Sequence, residues 1–472
     1  MLVPRGSSPM TSLSTIAGSV ISESWFKRRP RISIDLSGKK EGPVSSYTTS
    51  DKIEGTATII ADRDTPFDHI KITFEGTTRV YIERPAPVPR GRYLAAWSTF
   101  LRLQHPLDTS LQPTERVLRE GQPVTIPFTF TIPDRLTPQS CEHPVDHDHV
   151  HQRHTRLPPT LEDSKTTSSS KSPIDNLNPR MCRIEYFVKV AIQGHSVLEP
   201  LAARIRKVHL VPVYDEELPL VVCVDKRDYC WRKEVELRRG MLRDRMGRLQ
   251  MVASQPGPIL VTPGCRVSEL VSSAVTVHIR FDPVGDEPPP LLKCLRTKLK
   301  ASTFYASCPW TNIPSYSTMS CPHIDAGLFE RTVPVSSLCI ASVGWEKQEL
   351  DSSRDLYDHT PVLCPKKPMI RNSAIYYTAC LTVPITLPRN NKFVPTFHSC
   401  FISRTYALEI ELFYHTTYAS MPTAIKLKVP LHIASSRRPD NPRHESFDLA
   451  ISSLPGGSAV QVPGIPMLPG YN

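Results

Sequence analysis

The chain has 472 residues, a formal net charge of +11, 47 prolines and 20 glycines. This length exceeds one ordinary hydrophobic core and predicts two domains. Proline is at about twice its usual share of ~5%, and prolines spread between short β-branched runs interrupt helices, so the composition favours an all-β protein. Because there is no run of about 18 apolar residues, we expect no transmembrane helix.

The N-terminal residues carry a processing signal and no fold signal. Leu2 to Ser7 match a thrombin cleavage sequence, so we expect the natural chain to begin at Met10 and treat residues 1–30 as added residues and a flexible N-terminus. The basic residues from Lys27 to Arg29 follow the apolar segment instead of preceding it. This order argues against a secretory signal peptide.

Strand patterns dominate the first half of the chain, which we assign to a β-sandwich over residues 31–212. Apolar and polar residues alternate in segments separated by turn residues, as is typical of antiparallel strands. The predicted strands are Ile32–Leu36, Asp51–Ile60, His69–Ile82, Val124–Ile132 and Cys182–Gln193. One segment, Tyr93–Leu103, has apolar residues at helical spacing before Pro106 and predicts a helix. The polar loop before Cys182 predicts disorder over residues 161–179.

The second half predicts another sandwich, over residues 213–435. Its strands are Leu270–Phe281, Leu299–Phe304, Tyr376–Ile385, Phe393–Leu412 and Ile425–Ile433. The charged stretch Asp225–Met251 fits either a helix or a strand. In the last strand Pro430 suits an edge position or a bulge. The fold prediction is therefore two tandem antiparallel β-sandwiches of immunoglobulin-like type with little helix, followed by a flexible tail over residues 436–472.

A histidine-rich loop is a candidate metal site. His147, His149 and His151 alternate in sequence, so an extended strand would place the three imidazoles on one side, where they could hold zinc or copper. A solvated loop and a pH-sensitive contact are the alternatives. The twelve cysteines include no C-x-x-C pair, which favours reduced thiols over a disulfide scaffold.

No catalytic motif is present. The chain has no nucleophile elbow, H-E-x-x-H motif, phosphate-binding glycine loop or dinucleotide fingerprint. His398 and Ser399 are consecutive, so in a strand their side chains would point to opposite faces and be badly placed for proton transfer. His398 and Cys400 could share a face, and we interpret them as a buried structural pair. We predict no catalytic residue and no cofactor, which leans against an enzyme.

Three basic runs contribute to the positive charge: Lys27–Arg31, Arg204–Lys207 and Arg227–Arg248. They favour acidic partners, either phosphorylated tails or an anionic membrane surface, although each run taken alone also fits a solvated face. Nucleic acid is not an expected partner, because no helix-turn-helix, zinc finger or aromatic RNA-binding pattern accompanies these runs.

The C-terminal tail contains L-P-x-Y, formed by Leu468, Pro469 and Tyr471. Proline holds the backbone near polyproline II and the tyrosine ring fills a second groove, which is how WW domains bind related P-P-x-Y peptides. Val211, Pro212 and Tyr214 form a second, weaker match. That match lies where a strand or tight linker is expected, so a structural role is favoured there.

Six segments of the first half, in this order, resemble the N-terminal domain of fungal arrestin-like proteins, the α-arrestins. They begin at Tyr47 (Y-T-T-S-D-K-I-E-G), His69 (H-I-K-I-T-F-E-G), Phe100 (F-L-R-L), Pro127 (P-F-T-F-T-I-P), Leu157 (L-P-P-T-L) and Arg183 (R-I-E-Y-F-V-K-V). The segment from Asp286 and the last hairpin are similar to the C-terminal domain of that family.

The resemblance implies two arrestin-type sandwiches and a cytoplasmic adaptor that can be recruited to membranes. It also implies that a basic concave surface binds the cytoplasmic tail of a membrane transporter or receptor. Leu468, Pro469 and Tyr471 would recruit a HECT-type ubiquitin ligase through its WW domains, which leads to ubiquitylation and endocytosis of the cargo. The alternative is an enzyme or small-molecule binder that reuses the fold, for example a cyclase of secondary metabolism, with a pocket between or within the sandwiches.

Overall fold

A computed structural model of the chain describes residues 29–37, 45–83, 93–107, 113, 115–162, 177–194, 199–214, 228–239, 244–261, 273–319, 325–349, 375–388, 393–418 and 421–436. These residues belong to one compact unit. The predicted tail motif of Leu468, Pro469 and Tyr471 lies outside the described residues.

Two sheets enclose a first hydrophobic core. Their strands are β1 (Arg31–Ser37), β2 (Ser46–Tyr47), β3 (Lys52–Ile60), β4 (Thr65–Pro66), β5 (His69–Glu83), β6 (Tyr93–Gln104), β7 (Val117–Leu118), β8 (Val124–Thr131), β9 (Cys182–Gln193) and β10 (Ala202–Leu210). One sheet has the order β1-β3-β8 and the other β2-β10-β9-β5-β6, while β4 pairs with β7. Alternate residues of β9 are buried, as expected for a strand with one face on a core. Buried side chains such as Ile72, Phe74 and Ile126 form the core between the two sheets.

Two further sheets enclose a second core. Their strands are β11 (Arg232–Arg238), β12 (Arg245–Ala253), β13 (Ile259–Val261), β14 (Ser273–Pro283), β15 (Leu291–Ala306), β16 (Ala326–Cys339), β17 (Glu346–Glu349), β18 (Ile375–Ile385), β19 (Phe397–His398), β20 (Ile402–His415), β21 (Thr423–Leu431) and β22 (Ile433–Ser435). One sheet has the order β11-β12-β14-β18-β17 and the other β16-β15-β20-β19, with β21 also pairing with β20, while β13 pairs with β22. The charged stretch whose type the sequence left open forms β11 and β12.

Helix is scarce among the described residues. It comprises α1 (Asp148–His154), α2 (Tyr316–Met319) and a 3-10 turn (Pro138–Ser140). The prediction of an all-β sandwich protein is confirmed. Within the described ranges, every helix is too short to cross a membrane.

The predicted helix over Tyr93–Leu103 is wrong, because these residues form β6. The register between β5 and β6 shifts next to Gly76: Thr77 pairs with Thr99 but Gly76 pairs with Leu101. Phe100 is therefore an extra residue in a β-bulge. The bulge turns two consecutive apolar residues, Phe100 and Leu101, toward the core. Two adjacent apolar residues break the alternation of a strand and resemble the apolar spacing of a helix.

The two cores meet through side chains that each half supplies to the other. Phe397 and Ile402 of the second half pack in the first core, and Leu177 packs in the second. Arg404 on β20 is fully buried, and its Nη2 donates to the Leu177 carbonyl at 2.9 Å and to Asn178 Oδ1 at 2.8 Å. Leu177 and Asn178, near the C-terminal end of the segment predicted to be disordered, are thus tied into the fold, whereas residues 163–176 of that segment lie outside the described residues. The boundary at residues 212 and 213 stays a prediction.

Candidate functional site

The outer face of the β2-β10-β9-β5-β6 sheet is strongly basic. The residues that alternate with the buried ones on β5, β9 and β10, together with the matching positions of β6, point away from the core. The basic residues on this face are Lys71, Arg79, Arg102, Arg183, Lys189 and Lys207. Among the residues whose side chains the structure describes, the acidic ones on this face are Glu75 and Glu185.

Two of the six basic side chains are neutralised. Arg102 Nε lies 3.5 Å from Glu75 Oε1, and Lys207 Nζ lies 2.5 Å from Glu185 Oε1. Among the residues that the structure describes, no carboxylate pairs with the remaining four, Lys71, Arg79, Arg183 and Lys189. The face therefore keeps a local excess of positive charge.

Arg79 and Arg183 lie directly opposite each other on β5 and β9. Like charges at directly opposite positions destabilise a sheet, so this arrangement is unfavourable unless an anion lies between them. On its other side Arg79 stacks on Trp97 of β6, with its guanidinium carbon 4.3 Å from the ring centroid. Trp97 is 66% exposed. The row of two guanidiniums and one aromatic ring can bind a phosphate or carboxylate and pack against its apolar neighbours.

Two of the basic runs noted in the sequence contribute little to this face in the part of the chain that the structure describes, whereas Lys27 and Arg28 of the first run lie outside it. In the run Arg204–Lys207 on β10, only Lys207 and Ile205 share the face of Lys189. Basic residues of the run that forms β11 and β12 make ion pairs, among them Arg232 with Glu234 and Arg245 with Glu236. Sequence reasoning missed Arg79 and Arg183 because each is a single basic residue in a strand, and only the strand pairing brings them together.

The histidine-rich loop does not form the extended strand on which the metal prediction depends. His147 precedes α1, and His149 and His151 lie within it. Residues two apart do not share a helix face. The rings of His147 and His149 stack at 5.3 Å between centroids, and metal binding by these three histidines stays a prediction without the expected geometry.

A different set of candidate ligands does come together: Cys141, His143, His154 and Cys400. One ligand atom from each lies within 4.8 Å of the others. Cys141 Sγ is 3.3 Å from His143 Nε2 and 3.7 Å from His154 Nδ1. Cys141 follows the 3-10 turn, His154 ends α1, and Cys400 lies between β19 and β20. The first three lie in the histidine-rich loop, where the sequence pattern pointed to His147, His149 and His151 instead, and the sequence carries no signal for Cys400 as a metal ligand.

Burial controls the protonation of this cluster. It lowers the pKa of His154 to about 3, with further lowering by His143 and His151, so the imidazole is neutral. Burial likewise raises the pKa of the Cys141 thiol, although a hydrogen bond with Cys400 acts in the other direction. Burial also raises the pKa of Cys400. Without a cation both sulfur atoms therefore carry protons.

The His398–Ser399–Cys400 segment is built into the same region. His398 is partly buried, and desolvation together with Arg153 holds its pKa well below the usual range. Ser399 Oγ donates to the Ile402 carbonyl at 2.8 Å, so this hydroxyl is engaged with the backbone. The adjoining cavity, lined in part by His398 and Tyr406, has a volume of about 50 Å³. A water needs roughly 10–15 Å³ and a small-molecule site roughly 300–1,000 Å³, so this cavity has room for a few waters only.

The weaker motif of Val211, Pro212 and Tyr214 is held by hydrogen bonds. The Tyr214 hydroxyl donates to the Leu157 carbonyl, Arg156 stacks on its ring at 4.3 Å, and the Ser435 hydroxyl donates to the Pro212 carbonyl. These contacts fit the structural role favoured by the sequence. WW-domain binding at this motif stays a prediction.

Comparison with known proteins gives no family for this chain: no protein-family model matches it, and no curated protein matches it.

Proposed function

We propose that the protein is an arrestin-like cytoplasmic adaptor. Its β5–β9 face, by which we mean the basic outer face of the β2-β10-β9-β5-β6 sheet, binds an acidic, phosphorylated segment of a membrane protein. The observation that carries the proposal is the unneutralised row of Arg183, Arg79 and Trp97. A phosphate bridging the two guanidiniums would relieve their repulsion, and charge-assisted bidentate bonds of this kind are the stronger class of hydrogen bond.

In the second part of the proposal, the tail brings the ligase to the bound cargo. Leu468, Pro469 and Tyr471 would dock on a WW domain of a HECT-type ubiquitin ligase, so that cargo and ligase are held by one chain. The consequence is ubiquitylation of the transporter or receptor and its endocytosis. The sequence motif and the family resemblance support this part.

Cargo recognition is tested by titrating the full chain with a fluorescent acidic peptide that carries phosphoserines and with its unphosphorylated form. Arg183→Gln should weaken binding of the phosphorylated peptide about 10- to 100-fold, as expected for a lost bond worth roughly 1.5–3 kcal/mol. Arg102→Gln is the matched control, since Arg102 lies on the same face but is already paired with Glu75. Equal weakening by both variants, or no preference for the phosphorylated peptide, would contradict the proposal.

Anionic vesicles provide the competing ligand in the same experiment. Binding to the vesicles without binding to the peptide would identify the face as a membrane-surface site and overturn the peptide proposal. Because both ligands are attracted by net charge, the titrations are repeated at higher salt, where non-specific attraction falls.

Ligase recruitment is tested separately with a purified WW-domain ligase. Tyr471→Ala should abolish binding, because the tyrosine ring fills one of the two grooves. Tyr214→Phe is the control at the weaker motif, where the hydroxyl contacts Leu157. Unchanged affinity of the Tyr471→Ala variant would remove the adaptor mechanism.

A further inference from the structure

The Cys141, His143, His154 and Cys400 cluster has the composition of a structural zinc site, with its ligand atoms within 4.8 Å of one another. Two sulfur and two imidazole nitrogen atoms form the Cys₂His₂ ligand set of many structural zinc centres. Tetrahedral zinc with bonds of about 2.3 Å to sulfur and 2.0–2.1 Å to nitrogen separates its ligand atoms by about 3.3–3.8 Å. The two distances from Cys141 Sγ, 3.3 and 3.7 Å, fall in this range.

The His143 ring is already oriented for a metal. Its Nδ1 lies 3.1 Å from the Pro144 carbonyl oxygen, which can only accept a hydrogen bond. Nδ1 therefore carries the ring proton, and Nε2 presents its lone pair to Cys141 Sγ. A backbone carbonyl that fixes the tautomer of a ligating histidine is a common feature of protein metal sites.

The site is enclosed, as structural zinc sites are. Cys141 is 5% and His154 1% exposed, while His143 and Cys400 are partly buried. His154 Nε2 has no hydrogen-bond partner within the described part of the chain, so the ring does not owe its position to a bond on that side. The other ring nitrogen of His154, Nδ1, faces Cys141 Sγ, so the polar contact of this ring is with the cluster.

The four ligands come from two distant parts of the sequence. The loop that carries Cys141 and His154 touches the second half again nearby, where the Asp146 amide donates to the Thr311 carbonyl at 2.8 Å. On that half the Trp310 amide donates to the carbonyl of Cys400 at 2.8 Å, which fixes the turn that presents the thiol.

We propose that Cys141, His143, His154 and Cys400 bind one zinc ion that fastens the histidine-rich loop of the first sandwich to the β19–β20 turn of the second. Zinc is the metal expected for a tetrahedral set of two sulfurs and two nitrogens with no redox role. Binding releases the two thiol protons to solvent, and zinc keeps its +2 charge. This inference does not depend on the proposed adaptor function.

The test uses the full chain purified under reducing conditions. About one zinc per chain should be found by elemental analysis, and cobalt exchanged into the site should show tetrahedral absorption with sulfur-to-cobalt charge transfer. His143→Ala should weaken zinc binding more than about 100-fold, since loss of an outer partner alone costs roughly 10- to 100-fold.

The matched control is the triple variant His147→Ala, His149→Ala and His151→Ala, which removes three histidines of the same loop. It should keep the zinc and the cobalt spectrum. Loss of zinc in the triple variant with retention in His143→Ala would overturn the proposal in favour of the other ligand set. A wild-type chain without stoichiometric zinc or cobalt uptake, or a Cys141–Cys400 disulfide in peptide mapping of that sample, would also overturn it.

A measurement on the wild type covers the case in which His143→Ala does not fold. Chelation should make two cysteines newly reactive toward a thiol reagent, and mass mapping should identify them as Cys141 and Cys400. Modification of these two thiols at equal rates with and without chelator would contradict a zinc site.

Discussion

Two sheet faces of this molecule are rich in basic side chains, yet their charges are arranged in opposite ways. On the face of β15, β20 and β21, basic residues stand next to carboxylates: Glu411 accepts hydrogen bonds from Lys298 at 3.2 Å and Lys426 at 2.9 Å, and Lys300 lies 2.9 Å from Glu330. On the β5–β9 face, Arg79 stands opposite Arg183. Cross-strand register, and not the number of basic residues, thus decides which face attracts an anion.

The largest effect is expected where the paired face depends on one carboxylate. Glu411 is buried and holds two lysines, so Glu411→Gln replaces charge-assisted bonds by neutral ones. We expect a loss of about 2 kcal/mol in the free energy of unfolding, the typical value for hydrogen bonds to charged groups. Urea unfolding measures it. Glu409→Gln, a carboxylate on the same face with greater exposure, is the control, and an equal loss there would show that the pairing of Glu411 is not special.

The same carboxylate predicts a pH dependence. The hydrogen bond from Lys426 lowers the pKa of Glu411 below its ordinary 4.5; burial opposes this, and Lys298 adds to the lowering. A carboxyl whose pKa is lower in the folded state stabilises the fold above its unfolded pKa, and the contribution is lost as the pH falls through the folded pKa. The stability difference between wild type and Glu411→Gln should therefore be full at pH 7 and shrink below about pH 4.5. A difference that stays constant down to pH 3 would contradict this origin.

The strands of these faces could be predicted from sequence, but their charge environment could not. In β20 the alternation of Ile402, Leu408 and Ile410 with polar residues predicts a strand with one core face. Pro430, which suits an edge strand or a bulge, lies in β21, which pairs with β20 and is also bridged to Cys230 at Lys428. In β6 the bulge at Phe100 breaks the period of two, and local periodicity then favours the wrong element.

Both candidate sites depend on contacts that local sequence does not encode. Alternation places Arg79 and Arg183 on outer faces, but it does not say that β5 pairs with β9 or in which register. The cluster has the same property: Cys141, His143 and His154 share one loop, whereas Cys400 arrives through the packing of β19 and β20. Sequence spacing therefore identifies candidate side chains, and the tertiary fold selects among them.

A smaller effect is expected at the aromatic end of the unpaired face. Trp97→Ala removes the ring on which Arg79 stacks, and an exposed cation–π contact is worth roughly 0.5–1 kcal/mol. We expect a loss of below about 1 kcal/mol in urea unfolding, because most of the ring is exposed and little apolar burial is lost. Trp97→Phe retains a ring and should lose less. A larger loss from the phenylalanine variant would indicate that the indole itself has another partner.

The smallest effect separates the two faces most directly, because it should be opposite in sign on them. Arg183→Glu turns the like-charge pair with Arg79 into an opposite-charge pair, which should stabilise the fold by about 0.5 kcal/mol. Lys298→Glu places a second carboxylate beside Glu411 and should destabilise the fold by about 0.5 kcal/mol. Urea unfolding at low salt compares the two reversals, and both shifts should diminish at 1 M salt. Destabilisation by Arg183→Glu would mean that Arg79 and Arg183 do not repel each other. The argument that their repulsion favours anion binding at the β5–β9 face would then fail.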